Sequence, residues 1–346
     1  MTQKLAFLGF GVVGQGLAEI LLEKGEKVKA ETGFEASVVA ISDFRKGSLY
    51  HPDGLDLKKA LQVIEETGTL DEYPDEDGLT RGWDSITTIT ESNADTIVEV
   101  TFTDVKTGEP AISHCKTAFA SGKNVVMTNK GPVALAYQEL SALAKENGVR
   151  WGFEGTVMSG TPSLRMPLTS LAGNTFHEIS GILNGTTNYM LVRMEEGLTY
   201  EEALSEAQDL GYAEADPTSD VDGYDALYKV VILANLIMGV PLKTADVERK
   251  GLSSLKQEQI EEASQAGKRW KMLGSVKQTE EGVEASVKPV LLERDHPLAS
   301  IGGATNAITY ACDLAGDITL TGAGAGKVET GYSLFIDLLN IHRDQL

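Results

Sequence analysis

The sequence predicts an α/β protein whose first domain holds a doubly wound parallel sheet and whose second domain is mixed α+β. Three features point to this fold. A glycine-rich turn follows the first apolar strand, and further apolar strands then alternate with helical patterns. After residue 150 the alternation gives way to separate helices and strands. The predicted domains are therefore residues 1–150 and 151–321, with residues 322–346 returning to the first domain.

The first strand, residues 4–8, leads into a glycine string, and a helical pattern then covers residues 15–23 and stops at Gly25. In such a setting the first glycine makes the turn, the second lets a pyrophosphate approach the backbone, and the third lets helix and strand pack closely. These features predict a Rossmann-type dinucleotide site. Its pyrophosphate turn comprises Gly9, Phe10, Gly11, Val12, Val13 and Gly14.

The second strand, residues 36–42, ends at an acidic residue. An acid at this position commonly binds the adenosine ribose, which makes Asp43 a candidate for NAD binding, although a turn or cap role would also explain it. Arg45 follows closely and could hold a ribose phosphate instead. The sequence therefore leaves NAD and NADP as alternatives.

The remaining elements follow in order. Strands are predicted at residues 96–101, 124–128 and 150–154, with helices at 110–121 and 133–147 between them. Residues 45–92 form an apparent insertion with one amphipathic helix, residues 55–64, and no assigned chemistry. The second domain has predicted strands near 178–183, 284–291 and 304–312 and helices near 189–195, 200–210 and 224–237. A glycine-rich turn, residues 322–326, opens a final helix at 329–341.

The segment from Gly211 to Lys229 is the most informative part of the chain, because it holds one amine and five carboxylates, Glu214, Asp216, Asp220, Asp222 and Asp225. Asp225 and Lys229 are four residues apart and share one face of the predicted helix. A solvated helix pair is the ordinary explanation for such spacing. So many acids repel one another, however, unless a cationic group shares the space, and a substrate with an ammonium group meets that need.

Composition limits the possible partners. With 30 basic and 51 acidic residues the formal net charge is −21, which opposes contact with nucleic acid or an anionic membrane. Cys115 and Cys312 cannot form a disulfide framework, and the N-terminus has no leader pattern, so we expect a cytoplasmic protein. The histidines lack the spacing of a zinc site.

Taken together, these residues resemble the homoserine dehydrogenase family over nearly the whole chain. Four landmarks occur in order: the Gly9 to Gly14 string, the loop Thr128-Asn-Lys-Gly-Pro132, the pair of segments 154–162 and 184–188, and the segment 211–229. The resemblance implies NAD(P)-dependent interconversion of L-homoserine and L-aspartate 4-semialdehyde, a step in threonine, methionine and isoleucine biosynthesis. It also implies a homodimer formed through the second domain.

The resemblance also assigns roles to individual residues. Lys229 matches the proposed catalytic lysine, Asp225 holds it, and Lys130 lies near the nicotinamide and the substrate. Glu214 receives the substrate's amino group, and Asp220 and Asp225 complete the acidic lining. For Lys130 a solvated loop lysine is the alternative explanation.

Further roles concern the cofactor cleft and a monovalent cation. Thr101 and Phe102 line the cleft, although packing alone could explain Phe102, and Gly326 approaches the nicotinamide unless it only opens a helix. The family's structural sodium or potassium site matches the Glu154 carboxylate and the carbonyls of three further residues, Val157, Ser159 and Thr161. A strand-end carboxylate without an ion is the alternative for Glu154.

Two other functions compete with this one. A semialdehyde dehydrogenase that forms a covalent intermediate needs a nucleophilic cysteine with a base partner, and Cys115 and Cys312 lack that setting. A non-catalytic NAD(P)-binding sensor would keep the fold without the chemistry, and retention of Lys130, Glu214, Asp225 and Lys229 argues against it. Because the chain ends at Leu346, directly after the final helix, we expect no attached regulatory module.

Overall fold

The computed structural model describes residues 2–102, 104 and 106–346. Its strands are β1 (Gln3–Leu8), β2 (Ala36–Asp43), β3 (Gly47–Tyr50), β4 (Thr80–Arg81), β5 (Thr96–Glu99), β6 (Asn124–Met127), β7 (Trp151–Gly152), β8 (Phe176–Ile182), β9 (Glu248–Arg249), β10 (Lys268–Thr279), β11 (Gly282–Glu293), β12 (Thr305–Cys312) and β13 (Gly316–Ala323). Its helices are α1 (Val12–Thr32), α2 (Leu57–Thr67), α3 (Ser85–Glu91), α4 (Ala111–Ala120), α5 (Lys130–Glu146), α6 (Arg165–Thr169), α7 (Gly185–Glu195), α8 (Tyr200–Asp209), α9 (Thr218–Val221), α10 (Tyr224–Leu236), α11 (Gln257–Gln265) and α12 (Lys327–His342).

The described residues form two compact units. Unit 1 holds the chain up to Gly160 together with Gly326–Leu346, and unit 2 is Thr161–Ala325. The chain thus leaves unit 1 later than residue 150 and returns to it later than residue 322. None of the described helices is long and apolar enough to span a bilayer.

Unit 1 is built on a seven-stranded sheet in the order β4-β3-β2-β1-β5-β6-β7. Five neighbouring strands, β2, β1, β5, β6 and β7, are parallel to one another. Strands β3 and β4 pair antiparallel at the β2 edge. The apparent insertion, residues 45–92, supplies these edge strands and α3 as well as α2. The sequence analysis predicted α2 but missed the two edge strands, because they are only four and two residues long.

Helix α1 is longer than predicted. It continues past Gly25 and ends at Thr32, where Gly33 adopts a left-handed conformation with φ of 75° and donates its N–H to the Lys29 carbonyl. A glycine inside a helix costs about 1 kcal/mol relative to alanine, which a well-packed helix tolerates. The prediction that the helix stops at Gly25 was therefore wrong.

The core of unit 1 includes the C-terminal helix. Leu334, Phe335 and Leu338 of α12 pack into the same buried cluster as Leu5 and Phe7 of β1. Helices α1 and α12 cross where a glycine from each allows close approach. A β-carbon on Gly16 would lie 2.3 Å from the Lys327 carbonyl oxygen, and one on Gly331 would lie 2.7 Å from the backbone of Gly16. The last helix is therefore an integral part of unit 1.

Unit 2 is built on a six-stranded sheet in the order β13-β12-β8-β10-β11-β9, which is antiparallel except for the β11–β9 pair. Helices α7, α10 and α11 pack against it. The sequence analysis missed β10, β13 and α11. Three basic residues in the first half of β10, Lys268, Arg269 and Lys271, hide its apolar alternation, and Lys271 is nevertheless fully buried. The second unit is thus mixed α+β, as predicted.

Candidate active site

The glycine string forms the turn between β1 and α1 at the carboxyl edge of the unit 1 sheet. Gly9 has φ of 94°, and a β-carbon there would lie 2.6 Å from the Val100 carbonyl oxygen, so a larger residue does not fit. A β-carbon on Gly14 would lie 2.8 Å from the Gly9 carbonyl oxygen. A β-carbon on Gly11, by contrast, would meet no atom within 4 Å. The turn therefore has tight packing at its ends and open space at its centre, as a pyrophosphate cradle requires.

Asp43, at the end of β2, is tied to this turn. Its Oδ2 accepts the Phe10 N–H at 2.7 Å, and its Oδ1 accepts the N–H groups of Arg45 and Lys46 at 2.9 and 3.0 Å. Burial alone would raise the pKa of the Asp43 carboxyl, but these three backbone hydrogen bonds outweigh it and lower that pKa. Asp43 thus makes the turn that the alternative explanation expected, and it also stays ionised beside the glycine string.

Several side chains predicted for the cofactor cleft are exposed at this edge of the sheet. Val12 is 65% and Phe102 86% exposed, which rules out packing as the explanation for Phe102. Arg45 is exposed as well. Phe44, which the sequence analysis did not single out, is fully exposed between Asp43 and Arg45. An aromatic ring with no protein packing next to a nucleotide turn is a natural contact for a base.

A buried polar network at the ends of β5 and β6 was not predicted. The Glu99 carboxylate is 0% exposed and accepts from Asn129 Nδ2 at 2.6 Å and from the Thr101 hydroxyl. His114 Nδ1 lies 3.2 Å from Glu99 Oε1. Asn129 also donates to the Thr101 carbonyl at 2.9 Å. One signal in the sequence could have revealed the network, namely a carboxylate at the end of an otherwise apolar strand.

Lys130 is the first residue of α5 rather than part of a loop. The predicted helix began at residue 133, but α5 starts three residues earlier, directly after the N-cap residue Asn129. Lys130 is half-buried and follows the carboxyl end of β6, where the sequence analysis expected it. The solvated loop lysine of the alternative explanation is therefore not what the structure shows. Its contact with a nicotinamide stays a prediction.

In unit 2 the predicted Asp225–Lys229 pair forms on α10. Lys229 is 5% exposed, and its Nζ donates to Asp225 Oδ2 at 2.7 Å and to the Leu183 carbonyl at 2.5 Å. This geometry excludes the solvated helix pair, because an exposed pair would leave the ammonium in water. The amine is therefore held in one place at the end of β8.

Asn184 links this pair to a second carboxylate. Its Nδ2 donates to Asp220 Oδ1 at 2.7 Å and to Asp225 Oδ2 at 3.1 Å, while its Oδ1 accepts the Thr187 N–H at 2.9 Å and caps α7. The side chain is thus fully used by the start of one helix and two acids. The sequence analysis quoted the motif that contains Asn184 without giving the residue a role. An asparagine at a helix N-cap was the available signal.

The five acids of the segment differ in their surroundings. Asp220 and Asp225 join Asn184 and Lys229, whereas Asp216 accepts the Thr218 N–H and makes a local turn. Glu214 is exposed between α8 and α9, and its carbonyl accepts from Gln208 Nε2 at 3.0 Å. Contact of Glu214, Asp220 and Asp225 with a substrate's amino group stays a prediction.

The predicted cation ligands fall in a backbone with unusual geometry. Glu154 is 4% exposed in a short 3-10 helix, and its N–H donates to Asp337 Oδ2 at 3.0 Å. Val157 is buried, and the next two residues, Met158 and Ser159, have φ of 58° and 54°. Such conformations are costly for residues other than glycine and concentrate at binding sites. Thr161 begins unit 2, where its carbonyl accepts the Ser163 N–H at 2.6 Å.

Two further predictions concern a glycine and the cysteines. Gly326 has φ of 141° at the N-cap of α12, a backbone conformation that favours glycine, so the helix start itself explains this residue. Cys115 and Cys312 are buried, and burial raises the pKa of both thiols, that of Cys115 well above its ordinary value. Neither thiol is set up as a nucleophile.

Comparison with known proteins covers both units. A family model described as homoserine dehydrogenase matches residues 162–339, and one described as its NAD-binding domain matches residues 9–154. The chain is 45% identical to an NAD⁺-dependent homoserine dehydrogenase of Pseudomonas canavaninivorans, over 99% of this chain and 97% of that one. It is 42% identical to the homoserine dehydrogenase of Methanocaldococcus jannaschii, over 98% of each. A solved hyperthermophilic archaeal homoserine dehydrogenase in complex with NADPH matches with a TM-score of 0.84 at 32% identity, covering 99% of this chain and 98% of that one.

Proposed function

This chain belongs to the homoserine dehydrogenase family, and we propose that the Lys229 cluster performs the proton transfer of that family's reaction. The resemblance seen in the sequence and the predicted α/β fold are thereby confirmed. The protein is an NAD(P)-dependent oxidoreductase that interconverts L-homoserine and L-aspartate 4-semialdehyde. The nicotinamide, when bound, accepts or supplies the hydride. The buried 2.7 Å contact between Lys229 and Asp225 is the observation that best supports the proposal.

Proton transfer by Lys229 follows from the needs of the reaction. Reduction of an aldehyde leaves charge on its oxygen, so an acid must deliver a proton, and oxidation of the alcohol needs a base to remove one. Lys229 serves in both directions. Asp225 and the Leu183 carbonyl hold Nζ in position, and Asn184 holds Asp225. Positioned groups of this kind contribute about 10² to 10⁴ in rate.

We propose that Glu214, Asp220 and Asp225 bind the substrate's ammonium group. Asp220 and Asp225 are half-buried beside Asn184, and Glu214, which is exposed, is the residue that the family resemblance pairs with the amino group. Hydrogen bonds from an ammonium group to carboxylates are strengthened by charge. A substrate that lacks the amino group should therefore bind poorly.

For the cofactor we propose NAD⁺ in preference to NADP⁺. An ionised acid at the end of the second strand binds ribose hydroxyls and repels a phosphate at that position. The lowered pKa of Asp43 keeps it ionised. The relative from Pseudomonas canavaninivorans is named as NAD⁺-dependent. Arg45 would have to outweigh Asp43 for NADP⁺ to be preferred.

A monovalent cation and a dimer complete the proposal. The residues around the cation site fit a hard ion, because they offer one buried carboxylate and backbone carbonyls next to a left-handed turn. For the dimer, the register of the unit 2 sheet places a row of half-buried hydroxyl side chains on one face, namely Ser180, Ser275, Ser286, Thr309 and Thr319. Small side chains allow close contact with a second copy. A sedimentation mass of one chain would contradict the dimer.

A spectrophotometric assay tests the function. Reduced nicotinamide should appear when homoserine is supplied with NAD⁺, and its rate should fall at least about hundredfold when 4-hydroxybutanoate, which lacks the amino group, replaces homoserine. Equal rates with the two alcohols would contradict the role of the acids. Absence of any homoserine-dependent signal with both NAD⁺ and NADP⁺ would contradict the function itself.

A further inference from the structure

We propose that Glu99 is a positioning residue for the reaction: its buried carboxylate fixes the backbone that carries Thr101 and Lys130 at the carboxyl edge of the unit 1 sheet. The inference rests on the proposed placement of the nicotinamide next to Lys130. Glu99 itself is fully buried and touches no solvent, so it acts through its neighbours.

The position of Glu99 is the first argument. It ends β5 and pairs with Leu8 of β1 on one side and with Met127 of β6 on the other. The sheet changes its direction of winding between β1 and β5. From β1 the chain first adds β2 on one side and later adds β5 and β6 on the other side. In open parallel sheets ligands bind in the crevice outside the strand ends at such a reversal. Glu99 therefore lies directly beneath the cofactor crevice.

The contacts of Glu99 join three separate segments. Oε2 accepts from Asn129 at the start of α5, and Oε1 accepts from the Thr101 hydroxyl after β5. His114 of α4 approaches Oε1. A further bond from Asn129 Nδ2 to the Thr101 carbonyl closes a ring. The segments after β5 and β6 are therefore held together by one carboxylate.

The behaviour of Asn129 is the second argument. As the N-cap residue of α5, an asparagine would ordinarily accept a hydrogen bond from the first turn of its own helix. The structure shows no such capping bond from its side chain. Its Nδ2 donates to the Glu99 carboxylate and to the Thr101 carbonyl. The side chain of this N-cap residue therefore ties the start of α5, and with it Lys130, to the end of β5.

Stability alone does not explain this arrangement. Removing a carboxylate from water is unfavourable, and a protein with a well-packed apolar residue in such a place is often at least as stable. A buried carboxylate can instead define one geometry among several. A displacement of about 1 Å in a positioned catalytic group can lower the rate about a hundredfold. The network thus holds Lys130 and Thr101 in fixed positions relative to the bound cofactor.

Two variants of the intact protein test the proposal. Glu99→Gln keeps the size of the side chain but places an amide donor against the donors of its neighbours. Lys123→Met is the matched control. Lys123 is also buried, at 8% exposed, and donates to the Ser92 carbonyl at 2.6 Å. It precedes β6, however, and so lies at the opposite end of the sheet from Asn129 and Lys130. Both variants should lower the melting temperature.

Only Glu99→Gln should lower kcat for homoserine oxidation, by at least about tenfold, while its NAD⁺ dissociation constant changes by less than about threefold. Hydrogen exchange in peptides covering residues 128–140 should be faster in Glu99→Gln than in the parent and in the control. A kcat within about twofold of the parent overturns the proposal. Unchanged hydrogen exchange at the start of α5 also overturns the proposal. The exchange measurement tests the positioning role of Glu99 even if the parent protein proves inactive on homoserine.

Discussion

Phe10 and Asp43 are joined by a 2.7 Å hydrogen bond from the backbone N–H of the glycine string to a carboxylate oxygen at the end of β2. The bond fixes the position of the acid relative to the turn. It also helps to keep the acid ionised, since a carboxylate that accepts several N–H groups has a lowered pKa. One residue therefore shapes the turn and carries the negative charge that we propose a nucleotide ribose meets.

The substitution Asp43→Asn should reduce the preference for NAD⁺. The amide of the introduced asparagine would keep an oxygen acceptor for the turn but lose the negative charge that disfavours a ribose phosphate. We expect the ratio of kcat/KM for NAD⁺ to that for NADP⁺ to fall about tenfold, or about 1.4 kcal/mol. Steady-state kinetics with both cofactors measures it. An unchanged ratio would show that Asp43 serves only the turn.

Removal of sodium and potassium should destabilise the parent protein. A ligand that binds only the folded state adds to its stability according to its concentration and affinity. We expect the melting temperature to rise when sodium or potassium replaces tetramethylammonium at constant ionic strength. Glu154→Gln should abolish the difference. A Glu154→Gln protein that keeps the full response would place the ion elsewhere.

Lys271 should make the stability of the protein depend on pH. Burial lowers the pKa of Lys271 from 10.5 to about 8; Glu195 opposes this shift and Arg269 adds to it. Between these values the unfolded chain keeps the proton and the folded chain releases it, so the free energy of unfolding rises with pH from about 8 to 10.5. Below that window both states are charged and the cost of burial is fully present.

The comparison with Lys271→Met isolates this effect. From about pH 7 to about pH 9.5 the free energy of unfolding of the parent should gain about 2 kcal/mol relative to the variant, measured by urea unfolding at each pH. Parallel pH profiles of the two proteins would contradict the shift.

Much of the fold could be predicted because its signals are local. The glycine string lies between a strand and a helix, and the apolar strands β1, β2, β5 and β6 are buried on both faces. The end of α1 could not be predicted, since packing carries the helix through Gly25 to Gly33. Strand β10 was missed for a related reason. Lys271 is buried there only because Asn188 and the Ile301 carbonyl accept its hydrogen bonds, and these partners lie far away in the sequence.

The candidate site likewise has a part that local sequence signals predicted and a part that depends on contacts distant in the sequence. The spacing of Asp225 and Lys229 predicted their contact, because four residues make one turn of a helix. Glu99, His114 and Asn129 were missed, since they meet only when two strands and two helices have assembled. Asn184 was quoted without a role because its acceptors, Asp220 and Asp225, are brought to it by the fold.

The kcat of Lys229→Met with homoserine and NAD⁺ is the most direct test of the proposed mechanism. We predict a loss of at least about hundredfold, with NAD⁺ affinity unchanged and little loss in Lys271→Met, which also removes a buried lysine from unit 2. A Lys229→Met protein that turns over homoserine as fast as the parent would show that another group transfers the proton.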